Sequence, residues 1–404
     1  MNIWIINETI GSKIHGMVYR PYYMAKEFVK KGMTVTVFSG SYTHILSKLP
    51  EVEGRCKKEM IDGVNYCWVK TPKYSRSQSL GRIRNAFTFV FKLFTINKKD
   101  FGKPDVVIIT SPTPFSIING YFYKLKYKAK LIFEVRDIWP LTLIEIGRIS
   151  KGHPFVLFTQ IFENFCYKVS DIVVSVLPEA KAHMTKHWMA EHKFRYIPNG
   201  IDLEEVENSQ PLSGEVKALI PKDKFIVMYA GKIGQSNALE YLVDAAGILK
   251  DNEAISFVIV GEGDEKQKLK EVVQNRNLDN IHFIDQIPKN EVQSLLALAD
   301  IFYIGWHRNN LYKFGVSANK LYDYLYAGKP IVHSVSAAND CVADSGCGIS
   351  VDAESPEKIA EAVSALFNMS VEEREVMGKK GREYVCKNHS YEKLSGKYIN
   401  IFKV

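Results

Sequence analysis

The sequence predicts an α/β protein built from two doubly wound domains in tandem, each a parallel sheet with helices on both faces. Three observations lead there. Short, near-continuous apolar strands alternate with amphipathic helical stretches, the pattern of a parallel sheet buried on both sides. The alternation occurs twice, interrupted by Pro198-Asn199-Gly200 and a polar stretch running to Lys224. A chain of 404 residues is long enough for two domains with full cores.

In the first half, strands are expected at residues 3–7, 34–39, 66–70, 106–110, 130–135, 172–176 and 195–198, each about five residues and mostly apolar. Amphipathic helices fit between them at residues 22–31, 154–169 and 179–187, and Arg20-Pro21 suits a helix start. The Ser/Glu/Gln-rich stretch to Lys224 is the expected linker. The second series begins at Phe225, with strands expected at 225–230, 256–260, 282–284, 301–304, 330–334 and 348–351. The two halves share a pattern and no visible sequence repeat. Residues 371–404 read as helices packing back across a shared cleft. The expected division is 1–200, 201–385, and a terminal helix at 386–404 that returns to the first domain. Ligands of such sheets bind at the carboxyl ends of the strands.

Charged content of 24% and hydrophobic content of 46% are ordinary for a globular chain. Net charge is +8, unevenly placed: Arg55–Lys130 holds 16 Lys/Arg against four acids, so the remainder is mildly acidic. Within it, Phe87, Phe91 and Phe94 share one helical face flanked by basic residues, and Tyr121–Lys130 alternates aromatics with lysines. This composition suits an anionic membrane surface, at roughly 1 kcal/mol per basic residue. Core packing of the three phenylalanines is the competing reading. No nucleic-acid reading motif accompanies the charge, so no nucleic-acid partner is expected. The six cysteines show neither CxxC nor zinc spacing and fit a reducing compartment. The amino terminus lacks a basic, then apolar, signal pattern, and no run reaches the ~20 apolar residues of a membrane span. A cytoplasmic protein, peripheral on the inner face of the membrane, is the expectation.

The densest functional signal is Phe-Gly-Val-Ser-Ala-Asn-Lys-Leu-Tyr-Asp-Tyr-Leu-Tyr-Ala-Gly-Lys-Pro-Ile-Val, from Phe314 to Val332. Ser317 is placed to cap a helix that Gly328-Lys329-Pro330 ends before a β-branched strand. Lys320 then falls in the first turn, where the helix dipole disfavours a cation by a few tenths to ~1 kcal/mol. A local rule broken at a helix start points to a bound anion. Asp323 follows one turn later. A diphosphate carrying a ribose satisfies both, with the lysine and the free helix-start amides on phosphate and the carboxylate on sugar hydroxyls. A solvated Lys/Asp pair is the competing reading.

Two further loops of the second half belong with it: Tyr229-Ala230-Gly231-Lys232-Ile233-Gly234, and Val260-Gly261-Glu262-Gly263-Asp264, the latter a weak Gly-x-Gly signal that a plain turn also explains. Neither a Walker nor a dinucleotide fingerprint is present. No Asp-x-Asp occurs, so no metal on a diphosphate is expected, and no cofactor. In the first half, the loop with Gly11, His15 and Gly16 offers amides, or is an ordinary turn. Arg136-Asp137-Ile138-Trp139-Pro140 puts a charged pair at the end of a buried strand, as cleft residues or as a mutual salt bridge. His15, His153, His183 and His307 are not ranked by sequence.

Taken together these segments resemble the GT-B glycosyltransferases of the large retaining class, glycosyltransferase family 4, over nearly the whole length. Within it, Met17-Val18-Tyr19-Arg20-Pro21-Tyr22-Tyr23, Glu134–Pro140, Ile197–Asp202, Gly315–Pro330 and His333–Asp340 followed by Gly346-Cys347-Gly348 are similar to the L-fucosaminyl (WbuB-like) transferases of O-antigen and capsule synthesis. The resemblance implies two Rossmann-like domains, a UDP-sugar donor, a polyprenyl-diphosphate-linked acceptor held by the first domain, and retention of configuration without a metal. It places Asp323 on the nucleotide ribose, Gly315–Lys320 at the phosphates, and Gly16 facing the diphosphate from the first domain. The chain departs from the broader class twice. The class has Glu-x7-Glu, where this chain has Gly315 and Asp323. The class also pairs an Arg with a Lys five residues later, where this chain has Lys232 and Asn237, so one phosphate cation is missing and Lys320 is the candidate substitute.

The expected catalytic set is therefore Arg136, Asp137, Lys232 and Lys320. The expected donor-binding set is Gly16, Gly231, Glu262, Gly315, Val316, Ser317, Asn319 and Asp323. Two rivals are a UDP-HexNAc 2-epimerase of similar fold, against which Gly315 argues, and a non-enzymatic basic membrane-binding scaffold.

Overall fold

The computed structural model describes residues 1–16, 19–75 and 80–403; Met17, Val18 and Arg76 of the segments named above lie outside them. The chain divides into two compact units, Met1–Pro198 with Tyr391–Val404, and Asn199–Ser390.

In the first unit the described strands are β1 (Asn2–Ile6), β2 (Thr34–Gly40), β3 (Cys56–Ile61), β4 (Val64–Val69), β5 (Val106–Thr110), β6 (Lys130–Val135), β7 (Ile172–Ser175) and β8 (Phe194–Tyr196). They form one sheet in the order β3-β4-β2-β1-β5-β6-β7-β8. Ile3 of β1 lies opposite Val35 of β2 on one side and Val106 of β5 on the other, both parallel. Strand order reverses beside β1, so the crevice of this sheet opens where β1 and β5 end.

Strand β3 runs antiparallel to β4 and was not expected from the sequence. It is an edge strand reading Cys-Lys-Lys-Glu-Met-Ile, half-buried for the most part, with Lys58 and Met60 exposed. Lysines that keep a sheet edge from pairing with other chains also hide it from a search for apolar runs.

In the second unit the strands are β9 (Phe225–Ala230), β10 (Ile255–Val260), β11 (Ile281–Ile284), β12 (Ile301–Gly305), β13 (Ile331–Ser334) and β14 (Gly348–Val351). The order is β11-β10-β9-β12-β13-β14, all parallel. Reversal beside β9 places the crevice between the ends of β9 and β12.

The expected linker is not one. Short helices at Leu203–Glu207 and Gly214–Ala218 occupy it, and Leu203, Val206, Leu212 and Val216 pack on the second core. Its polar residues are simply the outer faces of these two helices. The expected return of residues 371–404 is also divided. Helix Val371–Asn388 stays with the second unit, where a side chain at Gly378 would collide with the Gly328 carbonyl.

Helix Tyr391–Lys403 belongs to the first unit. Phe402 packs 5.3 Å from Phe28, edge to face, and Lys130 Nζ donates to the carbonyls of Ile401 (3.2 Å) and Phe402 (3.1 Å). Beneath it lies a buried ion pair. Arg20 Nε donates to Glu134 Oε2 at 3.1 Å, Tyr398 Oη donates to the same carboxylate, and the other guanidinium nitrogens donate to the carbonyls of Pro198 and Ile197. Burial works to raise the Glu134 pKa, but the Arg20 charge and the Tyr398 hydroxyl outweigh it and hold the carboxyl below its ordinary value.

Candidate functional site

The site residues of the second unit gather at the ends of β9 and β12. Tyr229, wholly buried in β9, donates to the Lys232 carbonyl at 2.6 Å. Asn237 Nδ2 donates to the same carbonyl at 2.9 Å, so one loop oxygen fixes both side chains. Lys320 enters from helix Asn319–Ala327 and donates to Tyr229 Oη (2.5 Å) and to Asn237 Oδ1, its Nζ 4.5 Å from the Tyr229 ring centre. Gly231 makes room for it: a β-carbon there would lie 3.2 Å from Lys320 Cε and 3.3 Å from Nζ, on a backbone with φ of +156°. The helix is tied to β9 by Tyr324, whose hydroxyl accepts from the Ala230 amide (2.7 Å) and donates to its carbonyl (2.9 Å).

Among the described residues no carboxylate pairs with Lys320, and burial pulls its pKa down to about 7. Asp323, one turn on, has a carboxylate without a hydrogen bond among the described residues. Burial pushes its pKa up to about 6, with Glu205 adding to the rise and Lys289 opposing it. Both side chains keep partial access to solvent while packed protein surrounds them.

Other expectations for this segment need correction. The helix begins at Asn319 with Ala318 at its N-cap, and Ser317 does not cap it. The Ser317 hydroxyl instead accepts from the Asn199 amide at 3.0 Å and bonds Tyr322 Oη at 3.1 Å. The amides of Gly315 and Val316 are already spent, the first on the Tyr312 carbonyl (2.9 Å) and the second on Asn339 Oδ1 (2.7 Å). That leaves the amides of Ser317, Ala318, Asn319 and Lys320 without an acceptor among the described residues, the last two opening the helix. Glu262 is turned away onto Lys266 at 2.7 Å, which also binds Asp285 at 2.6 Å. Gly261 and Gly263 serve backbone packing and not ligand approach, since side chains there would strike the carbonyls of Gly231 and Ile233. Lys232 is exposed, without an ion pair among the described residues.

In the first unit, Gly16 closes a tight turn, its amide donating to the Ser12 carbonyl at 2.9 Å, with φ of +83° and Ser47 filling the place of a side chain. Its amide is therefore not free. Arg136 and Asp137 do not form the mutual salt bridge. Arg136 Nε donates to the Ser111 carbonyl at 3.0 Å, and the Arg136 and Asp137 amides both donate to Ser111 Oγ. The Asp137 carboxylate is solvent-exposed yet closely surrounded, and burial raises its pKa against the pull of Arg136 and Arg82. Beside it, at the reversal point of the sheet, Glu8 accepts from Thr113 Oγ1, and burial raises its pKa too. The four histidines have structural partners: His15 against Ser12 and Trp68, His153 capping helix Pro154–Val169, His183 near Glu163, and His307 between Glu240 and Glu354.

Sequence reasoning missed Glu8 in the first unit and Tyr229 and Asn339 in the second, and read Asn237 only as a missing cation. The signal for Tyr229 was an aromatic hydroxyl at the last turn of a strand leading into Gly-Lys. Nothing in the spacing pointed to Asn339.

Residues 14–205 match the family model described as Glycosyltransferase Family 4, and residues 215–384 match the one described as Glycosyl transferases group 1. An uncharacterized glycosyltransferase of Methanocaldococcus jannaschii is 23% identical over 80% of this chain and 80% of its own. The putative colanic acid biosynthesis glycosyl transferase WcaI of Escherichia coli is 24% identical over 76% of this chain and 77% of its own. Among solved structures, Anabaena HepE in complex with UDP and glucose superposes with a TM-score of 0.69 at 12% identity, over 100% of this chain and 99% of that one. The last likeness shows the fold alone, which is GT-B.

Proposed function

We propose, on the premise that this chain is a glycosyltransferase of the GT-B type, that it moves a sugar from a UDP-sugar to a polyprenyl-diphosphate-linked saccharide with retention of configuration. The sugar we assign is an N-acetylated amino sugar such as L-FucNAc, and the setting bacterial O-antigen or capsule synthesis. The observation that carries the donor assignment is Lys320, a half-buried lysine at the opening of a helix with no counter-ion among the described residues, and one turn on the Asp323 carboxylate, without a hydrogen bond among them. UDP is the nucleotide named with HepE, and colanic acid biosynthesis is the setting named for WcaI.

In this reading the acceptor oxygen attacks the anomeric carbon as the bond to the diphosphate oxygen breaks. The acceptor's proton passes to the departing phosphate oxygen, and no protein nucleophile is assigned. Charge growing on the leaving diphosphate meets Lys320, Lys232 and the amides of Asn319 and Lys320 without a metal. Asp323 accepts from the ribose hydroxyls. Arg136 and Asp137 position the acceptor or the donor sugar. UDP is expected to raise the melting temperature of the wild-type protein by mass action and to do so much less with Asp323→Ala, both unchanged by EDTA. A shift equal in the two proteins, or one that needs a divalent ion, would sink the assignment. Formation of UDP-ManNAc from UDP-GlcNAc without acceptor would favour an epimerase instead.

A cytoplasmic, peripheral location on anionic membrane is part of the proposal. Helices Leu80–Thr95 and Ile117–Tyr127 contain no acidic residue. They expose Phe91 (67%) and Leu125 (63%), and helix Pro154–Val169 adds Ile161 (63%). The three phenylalanines divide: Phe87 stacks on Phe115 at 4.7 Å, Phe94 meets Phe122 edge-on, and Phe91 stands in solvent. Lys92, Lys124 and Lys130 have structural partners, the Lys70 carbonyl, Asp171 and the final helix, which leaves Arg84 and Lys126 on this face. Cosedimentation with phosphatidylglycerol vesicles, weakened by salt and by the double change Phe91→Ser/Leu125→Ser, is the expected result. Equal binding to neutral vesicles would contradict it.

A further inference from the structure

Lys320 sits in an unusual pocket of neutral groups. From β9 it meets the hydroxyl and ring face of Tyr229. From the following loop it meets the Asn237 side-chain oxygen and the backbone of Gly231. The charged and titratable groups nearby are committed or distant: Tyr324 on its own helix is bonded to Ala230, Glu262 of the neighbouring loop holds Lys266, Lys232 points to solvent, and Asp323 lies a turn away without touching it. An amine has two N–H donors and one lone pair, whereas an ammonium has three donors. Two donors are spent here, on Tyr229 and Asn237. Only a third N–H could reach a ligand.

We infer that Lys320 acquires its charge from the binding event itself: it waits as a neutral amine and takes up one proton from solvent when a diphosphate arrives, with Asn237 and Tyr229 as positioning residues that aim the new N–H. This inference rests on the donor reading above and deepens it. The bookkeeping is one proton from buffer to amine nitrogen, with no other bond made or broken. A permanently charged lysine in such surroundings would demand a resident carboxylate, and none pairs with it among the described residues. The depressed Lys320 pKa has the same sense.

Asn237 is essential to the arrangement. An aspartate at that position would supply the missing counter-charge in advance, keep Lys320 protonated, and repel the incoming anion. The test is calorimetric titration of UDP at pH 8 in two buffers of different ionisation enthalpy, Tris and HEPES. The expected result is a heat that differs between buffers by close to one proton for the wild type. The difference should vanish in Lys320→Met, and should fall sharply in Asn237→Asp, where UDP also binds at least roughly 10-fold more weakly. UDP binding with buffer-independent heat, or proton uptake that persists in Lys320→Met, would overturn the inference while leaving the donor reading intact. An absence of UDP binding to the wild type would overturn the donor reading, and this inference with it.

Discussion

Lys320→Met is expected to lower kcat/KM for the nucleotide sugar by about 100- to 1,000-fold, equivalent to the ~2.7–4 kcal/mol typical of one lost contact to developing charge. Methionine keeps the length and packing of the side chain, so Tyr229, Gly231 and the helix should stay in place. The loss then reports charge and not folding. The pH profile gives a second, independent reading. Asp323, with its pKa near 6, must be ionised to accept from ribose, so activity falls as pH drops through that value. Lys320, with its pKa near 7, must hold a proton to meet phosphate, so activity falls as pH rises through that value. A narrow bell between the two is the expected form of kcat/KM. Lys320→Met should remove the alkaline limb and Asp323→Asn the acid limb, each at a lower plateau. An unchanged alkaline limb in Lys320→Met would mean that another group titrates.

Arg20→Met is expected to destabilise the protein by about 3–5 kcal/mol, because it strands the Glu134 carboxylate in a buried site. Tyr398→Phe should cost less, about 1–3 kcal/mol, since it removes one donor and leaves the ion pair. Urea denaturation at neutral pH separates the two. The sign with pH follows from the direction of the Glu134 shift. Its folded pKa lies below the ordinary value of 4.5, so the contribution is complete above that value and is lost as pH falls through the folded one. The mutant, already without the pair, should lack this acid-sensitive component. A similar acid dependence in Arg20→Met would place the source elsewhere.

Most of the architecture was legible because buried parallel strands leave an unambiguous apolar signature, as Val106–Thr110 and Phe225–Ala230 do. What escaped lacked that signature. Cys56–Ile61 is a charged edge, and residues 203–218 are short helices whose few apolar residues look like noise until packed. At the site, Lys320 stood out because it breaks a local preference, and Asp323 because it follows one helical turn later. The fate of individual amides did not, since the partners of Val316 and Ser317 are Asn339 and Asn199, far away in the chain. Hydrogen-bond satisfaction is a tertiary property, so amide positions read as ligand-facing, such as Gly16, Gly315 and Val316, turned out to be bonded within the protein.

The helix Tyr391–Lys403 closes the first unit, yet it is separated from the rest of that unit by all of residues 199–390. On the ribosome, the portion translated first must therefore wait for its last piece. At ~5–20 residues per second the wait is roughly 10–40 s. Throughout that interval Glu134 has Arg20 but not Tyr398, and Phe28 has no cover from Phe402. The half that starts folding earliest is thus the half that finishes latest, and nascent-chain helpers would find their exposed target there.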